Sequence, residues 1–354
     1  MLETKDSFQR LSVAIEALRF PLIVFIVMLH CYTSTVSQWS GHPTYFRIVY
    51  PFSLWLGETG VPAYFFISGL LLFYSKKTYS QKLQGRLKTL LIPYILFNAF
   101  ILLGYWTLYL AGKPMAILGR SISDYNFVDF LRAFWDRGEW HNGNGAPLLC
   151  PFWYIRNLML LVVISPVLYY LIKYTRILFP LVCGLLWVNS FHSAYLLQSL
   201  TMFSLGAYFP ITGKNPCDVI NQYRYWVVTL FLCFGLYDIA IHCTTISLPV
   251  FPQVHRLALV ANVFLLIWLG EKFYLHGIYS VFLSKSSFFV FCIHYPFVLV
   301  LKEFSGRVTG LGDVVLALLY FCSVILVTVL CVVIYKILLK LVPGFLNFIT
   351  GSRS

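Results

Sequence analysis

Long apolar runs, separated by short charged or Pro/Gly-rich segments, form the main pattern along this chain. A helix needs about 20 mostly apolar residues to cross the hydrocarbon core of a bilayer, and runs of about that length recur along most of the sequence. The pattern predicts about ten transmembrane helices, near residues 11–33, 51–73, 88–111, 152–172, 177–192, 194–212, 223–243, 254–272, 280–302 and 312–338.

The stretch 177–213 allows two interpretations because it contains no charged side chain that would mark a boundary. A polar break from Asn189 to Ala194 divides it into two short apolar runs. Two helices separated at this break give ten spans, whereas one continuous helix gives nine.

Composition favours a membrane protein and excludes an ordinary soluble globular chain. Hydrophobic residues make up 59% of the 354 residues, charged residues make up 11%, and the mean hydropathy is +0.78. No internal repeat or second domain is visible. We therefore expect an all-α integral membrane protein, a helical bundle that forms one domain over residues 1–354, with an outer loop at about 112–151.

The net charge of +13 comes mainly from Lys and Arg in short loops, which is a topology signal and does not indicate nucleic-acid binding. Positive residues are retained on the cytoplasmic side. One loop, between the second and third predicted spans, carries five of them and is assigned to the cytoplasm. With an even number of ten spans, this assignment predicts that both chain termini are cytoplasmic. The five basic residues of the loop are Lys76, Lys77, Lys82, Arg86 and Lys88.

Cysteine usage predicts no metal site, because none of the nine cysteines lies in a CxxC or other metal-type spacing. Most of them fall inside apolar runs, as small core residues do. Cys150 and Cys243 are both predicted near the outer face, so a disulfide between them is an alternative in an oxidising compartment.

Three ionisable residues, Glu16, Arg19 and His30, lie within the first predicted span. Each costs about 2.5–3.5 kcal/mol to insert, so each calls for a partner or a function. Arg19 and His30 are separated by about three turns and share one helix face, roughly 16 Å apart along the axis. This stripe suits acyl-CoA, since a guanidinium binds phosphate and a neutral imidazole can take the proton of an attacking hydroxyl.

Spacing alone leaves a structural alternative open for the same stripe. Glu16 and Arg19 could form an i,i+3 ion pair near the interface, and His30 could be an interfacial histidine at the helix end. Asp238 and His242, an i,i+4 pair in the seventh predicted span, are interpreted as structural, and Ser68-Gly69 as a site of close helix packing.

Five segments resemble, in order, the acyltransferase-3 family of integral-membrane acyltransferases. The run IEALRFPLIVFIVMLH (15–30) is similar to the family's first-helix signature, in which an Arg is followed after ten residues by a His. The similarity covers about residues 11–302. The other segments are VPAYFFISGLLLFYS (61–75), GRLKTLLIPYILF (85–97), PFWYIRNLMLLVVISPVLYYL (151–171) and FVFCIHYPFVLVL (289–301).

This resemblance implies a membrane O-acyltransferase of the bacterial cytoplasmic (inner) membrane, which moves an acyl group from cytoplasmic acyl-CoA to a hydroxyl of a glycan or lipid-linked saccharide at the outer side. Acetyl is the expected acyl group and acetyl-CoA the expected co-substrate, with no bound cofactor. Membrane lipids are the other expected partners. The sequence does not distinguish direct transfer from relay through an acyl-enzyme, and it does not identify the acceptor.

The resemblance also assigns roles. His30 would be the catalytic base, and Arg19 and Glu16 are the other catalytic candidates. Arg19 would also hold the donor with help from Arg86, although Arg86 could equally be one of the positive-inside charges. Four residues are candidates for binding the acceptor or the oxyanion: Arg156, Trp153, His294 and Glu58.

Two of the acceptor-side assignments have an alternative. Arg156 could instead be a snorkelling interfacial residue, and His294 could satisfy a carbonyl left by Pro296. Glu58 is expected to pair with Arg156 or to orient His30.

A carrier or flippase for a glycolipid or small solute is the alternative function, because polytopic topology and intramembrane charges are also typical of carriers. A membrane acyltransferase of a different superfamily, with its essential histidine late in the chain, would use His294. Comparing the variants His30→Ala and His294→Ala separates that possibility from the leading hypothesis.

Overall fold

A computed structural model describes residues 2–35, 41–112, 122–136, 145–190, 195–243, 252–305 and 310–351. All regular secondary structure in these ranges is helical, which confirms the predicted all-α class. The α-helices are α1 Leu2–Thr35, α2 Pro43–Tyr50, α3 Glu58–Tyr74, α4 Tyr79–Arg86, α5 Ile92–Leu110, α6 Phe127–Ala133, α7 Trp153–Val163, α8 Ser165–Thr175, α9 Leu178–Val188, α10 Tyr195–Ile211, α11 Pro216–Gln222, α12 Arg224–Cys243, α13 Pro252–Leu275, α14 Val281–Ser305, α15 Asp313–Leu341 and α16 Pro343–Ile349.

Two π-helical segments join short helices to longer ones. Pro51–Gly57 connects α2 to α3, and Leu87–Leu91 connects α4 to α5. The resulting continuous helices run over Pro43–Tyr74 and Tyr79–Leu110. Short 3-10 turns occur at Ile122–Asp124 and Cys150–Phe152.

Seven helices in the described ranges are long and apolar enough to cross a membrane. An eighth span is formed if the pair Cys150–Val163 and Ser165–Thr175, which meet at an angle of 68°, is counted as one. The seven are Gln9–Tyr32, Pro43–Tyr74, Tyr79–Leu110, Arg224–Cys243, Gln253–Leu275, Val281–Lys302 and Asp313–Leu341.

The stretch 177–213 forms two helices rather than one. Helix α9 ends at Val188, Asn189 and Ser190 are not helical, and α10 begins at Tyr195; residues 191–194 of the predicted break lie outside the described ranges. With 11 residues, α9 rises only about 16 Å, roughly half the thickness of the hydrocarbon core. The predicted number of about ten spans is therefore approximate.

Helix α1 occupies the centre of the bundle and packs against α3, α13, α14 and α15. Its buried apolar residues include Leu18, Leu22, Ile23 and Val27. By contrast, α15 exposes Leu318, Ile325 and other large apolar side chains, as a lipid-facing helix does.

Helices α3 and α10 approach one another backbone to backbone, and two glycines make this approach possible. A Cβ atom at Gly69 would collide with the backbone oxygen of Phe203, and one at Gly206 would collide with the backbone oxygen of Phe66. Small residues allow such backbone approach in membranes. The close packing predicted for Ser68-Gly69 is therefore present at Gly69.

The predicted outer loop is described only in part, because residues 113–121 and 137–144 lie outside the described ranges. A short helix, α6, forms within this loop, and Asn126 and Asp129 cap it with reciprocal hydrogen bonds. It exposes Phe127, Val128 and Leu131. Cys150 and Cys243 do not form a disulfide with one another.

Candidate functional site

A cavity of about 300 Å³ lies between α1, α3, α7 and α14. It extends to α4 and to the π-helical segment Leu87–Leu91 that follows α4. Arg19 and Arg86, which the sequence proposed as partners in donor binding, both line it. The cavity lies at the end of the bundle that the charge pattern assigns to the cytoplasm. The structure therefore brings together two arginines that are far apart in the sequence.

A third cation, Lys285 at the start of α14, lines the same cavity and was missed by sequence reasoning. In the sequence, Lys285 is a basic residue at the border of an apolar run, and the retention of positive charge on the cytoplasmic side is a sufficient explanation for such a residue. None of the lining residues is acidic. Three positive charges without a lining carboxylate favour an anionic ligand.

The remaining lining of the cavity combines hydroxyl groups with apolar walls. The Tyr64 hydroxyl donates to the backbone oxygen of Arg19 at 2.7 Å, and the hydroxyls of Ser68 and Tyr154 lie 3.2 Å apart. Leu71 and Phe288 are among the apolar wall residues. A ligand with an anionic end and an apolar arm matches this surface.

Two histidines that do not line this cavity contact one another. His30 on α1 and His294 on α14 approach with 3.3 Å between Nδ1 of His30 and Nε2 of His294, and their ring centroids are 5.1 Å apart. His294 is fully buried and His30 is partly buried. The structure thus joins two residues that the sequence had proposed for separate roles.

Backbone carbonyls determine the tautomers of both rings. Nδ1 of His30 lies 2.8 Å from the oxygen of Ile26, and Nδ1 of His294 lies 2.8 Å from the oxygen of Phe291 and 3.1 Å from that of Val290. A carbonyl only accepts, so each neutral ring carries its proton on Nδ1. Nε2 of His294 can then accept from Nδ1–H of His30, and the basic lone pair of His30 is on Nε2.

The contacts of His294 differ from those expected next to a proline. Pro296 lacks an N–H and therefore leaves the carbonyl of Cys292, four residues earlier, without its helical donor. The carbonyls that accept from His294 belong instead to Val290 and Phe291. The imidazole of His294 is therefore held by two other carbonyls and not by the carbonyl of Cys292.

One aromatic residue is shared between the cavity wall and the surroundings of the histidine pair. Phe291 lines the cavity, and its ring centroid is 6.1 Å from that of His294. Neither His30 nor His294 is among the residues that line the cavity. The two ends of the predicted polar stripe therefore differ, because Arg19 lines the cavity and His30 does not.

One part of the structural alternative for the stripe, the ion pair, is not realised. Glu16 and Arg19 form no ion pair in the described part of the chain, and the backbone oxygen of Arg19 accepts from Tyr64 instead. Glu16 is not among the cavity-lining residues. His30 lies within α1, five residues before the end of the helix, and contacts α14.

Arg156 and Trp153 do not line the cavity, and both contact aromatic or polar groups elsewhere in the structure. The Arg156 guanidinium donates to the backbone oxygen of Trp135 at 2.6 Å and to Oδ1 of Asn157 at 3.2 Å, and it lies 5.2 Å from the Trp135 ring centroid. It thereby attaches the segment after α6 to α7. The Trp153 ring stacks on Tyr195 with a centroid distance of 4.4 Å.

Glu58 pairs with His255 rather than with Arg156 or His30, which corrects the sequence expectation. Oε2 of Glu58 lies 2.9 Å from Nε2 of His255, and Nδ1 of His255 lies 3.0 Å from Oδ2 of Asp238. Tyr50 donates to the same oxygen of Asp238 at 3.1 Å. Asp238 also lies 3.6 Å from Nδ1 of His242, so the predicted i,i+4 pair belongs to a larger cluster.

Comparison with known proteins gives a family and a relative. A family model described as an acyltransferase domain matches residues 12–336, which include every site residue discussed above. The chain is also 24% identical over 357 residues to the succinoglycan biosynthesis protein ExoH of Rhizobium meliloti. That alignment covers 97% of this chain and 93% of the relative. No solved structure matches the chain.

Proposed function

Because this chain belongs to the acyltransferase-3 family of integral-membrane acyltransferases, we propose that it transfers an acyl group, in the first instance acetyl, from acyl-CoA to a hydroxyl of a glycan. The name of the relative, a succinoglycan biosynthesis protein, supports a polysaccharide or its lipid-linked precursor as the acceptor. Family membership argues against a carrier or flippase.

The cavity beside Arg19 is the proposed site for the donor. Acyl-CoA carries several phosphate groups, and Arg19, Arg86 and Lys285 are the cationic residues around this cavity. The positive-inside pattern supports an opening toward the cytoplasm of a bacterial inner membrane, with both chain termini on that side. The apolar walls suit the less polar arm that carries the thioester.

His30 is the proposed general base, and its pairing with His294 is the single observation that carries the proposal. Nε2 of His30 takes the proton of the acceptor hydroxyl while the hydroxyl oxygen attacks the thioester carbonyl. The tetrahedral intermediate then expels the thiolate of CoA, which receives the proton from His30. In the imidazolium form, Nδ1–H of His30 still donates to Ile26 and to Nε2 of His294, so the added charge is stabilised.

The test compares His30→Ala with the unmodified protein in a strain that lacks the gene. Mass spectrometry of the surface polysaccharide should show O-acyl groups with the unmodified protein and a loss of about 10²–10⁴-fold with His30→Ala, as expected for removal of a general base. The protein level in the membrane should not change. Retained acylation in this variant would remove His30 as the base.

A second arm tests the donor site in the detergent-purified full chain. Acetyl-CoA should raise the thermal midpoint of the unmodified protein and of His30→Ala, because a ligand that binds the folded state stabilises it. Lys285→Met should require a higher acetyl-CoA concentration for the same shift. Lys272→Met is the matched control, since Lys272 lies over the Trp268 ring and does not line the cavity. Equal shifts in the two lysine variants would contradict this site.

A further inference from the structure

We infer that Phe291 forms the end wall of the donor cavity and restricts the reaction to short acyl groups. The inference rests on the proposed function and adds the class of donor, a short-chain acyl-CoA. It begins from two observations: Phe291 lines the cavity that Arg19 also lines, and its ring centroid is 6.1 Å from that of His294, which does not line the cavity.

Packing holds the Phe291 ring in place on several sides. It stacks on Phe152 with a centroid distance of 5.7 Å and an interplanar angle of 3°, and it meets the edge of Tyr154 at 5.7 Å. Phe288, one turn earlier on α14, lies 6.4 Å away. Phe291 is only 6% exposed. A ring fixed in this way sets the space available beside it.

The chemistry requires the acyl group to occupy the space beside this ring. Direct attack needs the thioester carbonyl about 3–3.5 Å from an oxygen that is itself hydrogen-bonded to Nε2 of His30. The acyl group therefore reaches the level of His30 and His294 while the CoA portion remains among the cations. Every methylene beyond acetyl must then find room against Phe291 and its aromatic neighbours. In hydrophobic pockets, one methylene changes discrimination by about 10–200-fold.

Replacing Phe291 should therefore change chain-length preference and leave the acid–base groups intact. The variant Phe291→Ala opens space that joins the cavity to His294, while the backbone oxygen that accepts from Nδ1 of His294 is retained. Phe291→Leu is a milder change that keeps an apolar side chain. Phe289→Ala is the matched control, because Phe289 is also buried on α14 but packs against Tyr335 and does not line the cavity.

The experiment measures dissociation constants of acetyl-, butyryl- and hexanoyl-CoA for the full chain in detergent, from the concentration dependence of the thermal midpoint. In Phe291→Ala, the affinity for hexanoyl-CoA relative to acetyl-CoA should rise at least about tenfold over the unmodified protein. Phe291→Leu should change the ratio in the same direction, and Phe289→Ala should keep the unmodified ratio.

The possible results separate this inference from the function on which it rests. If acetyl-CoA stabilises the unmodified protein but both Phe291 variants keep its chain-length ratio, the end wall is overturned and the proposed function stands. If Phe289→Ala changes the ratio as Phe291→Ala does, the effect is general loosening and the inference is again overturned. If no acyl-CoA stabilises the unmodified protein, both proposals fail. Should Phe291→Ala not fold, Phe291→Leu alone decides.

Discussion

His294 determines how His30 can act in the proposed mechanism. Its Nε2 faces Nδ1 of His30 at 3.3 Å, and two carbonyls fix its own Nδ1–H. His294 thus acts as a positioning residue, since it favours the tautomer of His30 whose basic nitrogen is Nε2. The Ile26 carbonyl supplies the same preference from within α1, so the two acceptors share this function.

Because Ile26 and His294 both accept from Nδ1–H of His30, we expect a moderate effect for His294→Ala. Turnover should fall about tenfold, equivalent to about 1.4 kcal/mol, because Ile26 still accepts from His30. Thermal stabilisation by acetyl-CoA should not change, because the donor cations are untouched. His294→Gln can present an amide oxygen to Nδ1–H and should recover part of the rate. The polysaccharide acylation assay measures both variants, and a failure of Gln to exceed Ala would contradict a positioning role.

Single residues also show what the sequence could and could not predict about the site. Arg19 and Arg86 were chosen from charge within or beside apolar runs together with family motifs, and they share the cavity. Lys285 was not chosen, because a basic residue at a helix border has a sufficient topological explanation. The contact of His30 with His294 joins positions 264 apart, and only the packing of α1 against α14 creates it.

At the scale of helices, the glycines between α3 and α10 hold Ser68 and Tyr64 at the cavity. Both of these residues belong to α3 and line the site. Gly69 and Gly206 let the two backbones touch, so a side chain at either position has to separate the helices. The geometry of one cavity wall therefore depends on a contact formed on another face of the same helix.

Gly69→Ala should consequently lower the thermal stability of the protein. Insertion of a methyl group against the backbone of Phe203 costs about 1–3 kcal/mol, as overpacking does in well-packed cores. Gly104→Ala is the control within α5, because nothing lies within 4 Å of a Cβ placed there and alanine favours a helix over glycine by about 0.5–1 kcal/mol. Thermal unfolding in detergent should show a lower midpoint for the first variant only. Equal midpoints would mean that α3 and α10 are not tightly packed.

Helix boundaries were the least predictable part of the fold. The sequence placed one straight span at 152–172, whereas α7 and α8 meet at 68° between Val163 and Ser165. Pro166 explains the break, because it cannot donate to the carbonyl of Val162 and it suits the first turn of a new helix. Apolar periodicity identifies helices well, yet it carries little information on whether consecutive helices are collinear.

At the scale of the whole molecule, two polar clusters join neighbouring helices, one cluster near each end of the bundle. At the end assigned to the cytoplasm, Arg10 of α1 lies 2.6 Å from Glu271 of α13 and 3.3 Å from Asp218 of α11. At the other end, His255 of α13 bridges Glu58 of α3 and Asp238 of α12. Both clusters include α13, so this helix is held near each end while its middle packs on α1.

In the cluster around His255, removal of the imidazole leaves two carboxylates without the ring that bridges them. Both ring nitrogens of His255 face carboxylate oxygens, and carboxylates only accept, so the ring is satisfied when both nitrogens carry protons. Asp238 is 1% exposed. In His255→Leu this buried carboxylate loses the imidazole and keeps its contacts with Tyr50 and His242. Loss of one partner from a buried ion pair costs about 3–5 kcal/mol.

We therefore expect His255→Leu to lower the thermal midpoint strongly, while acetyl-CoA still stabilises the folded fraction because the donor cavity contains none of these residues. His276→Leu, an exposed histidine beyond α13, should leave the midpoint nearly unchanged. In the double variant Asp238→Asn with His255→Gln, neutral groups of similar size replace the pair, so stability should partly recover over His255→Leu. A midpoint equal to that of the unmodified protein in His255→Leu would show that the cluster does not hold α3, α12 and α13 together, since removal of the bridging ring would then have no cost.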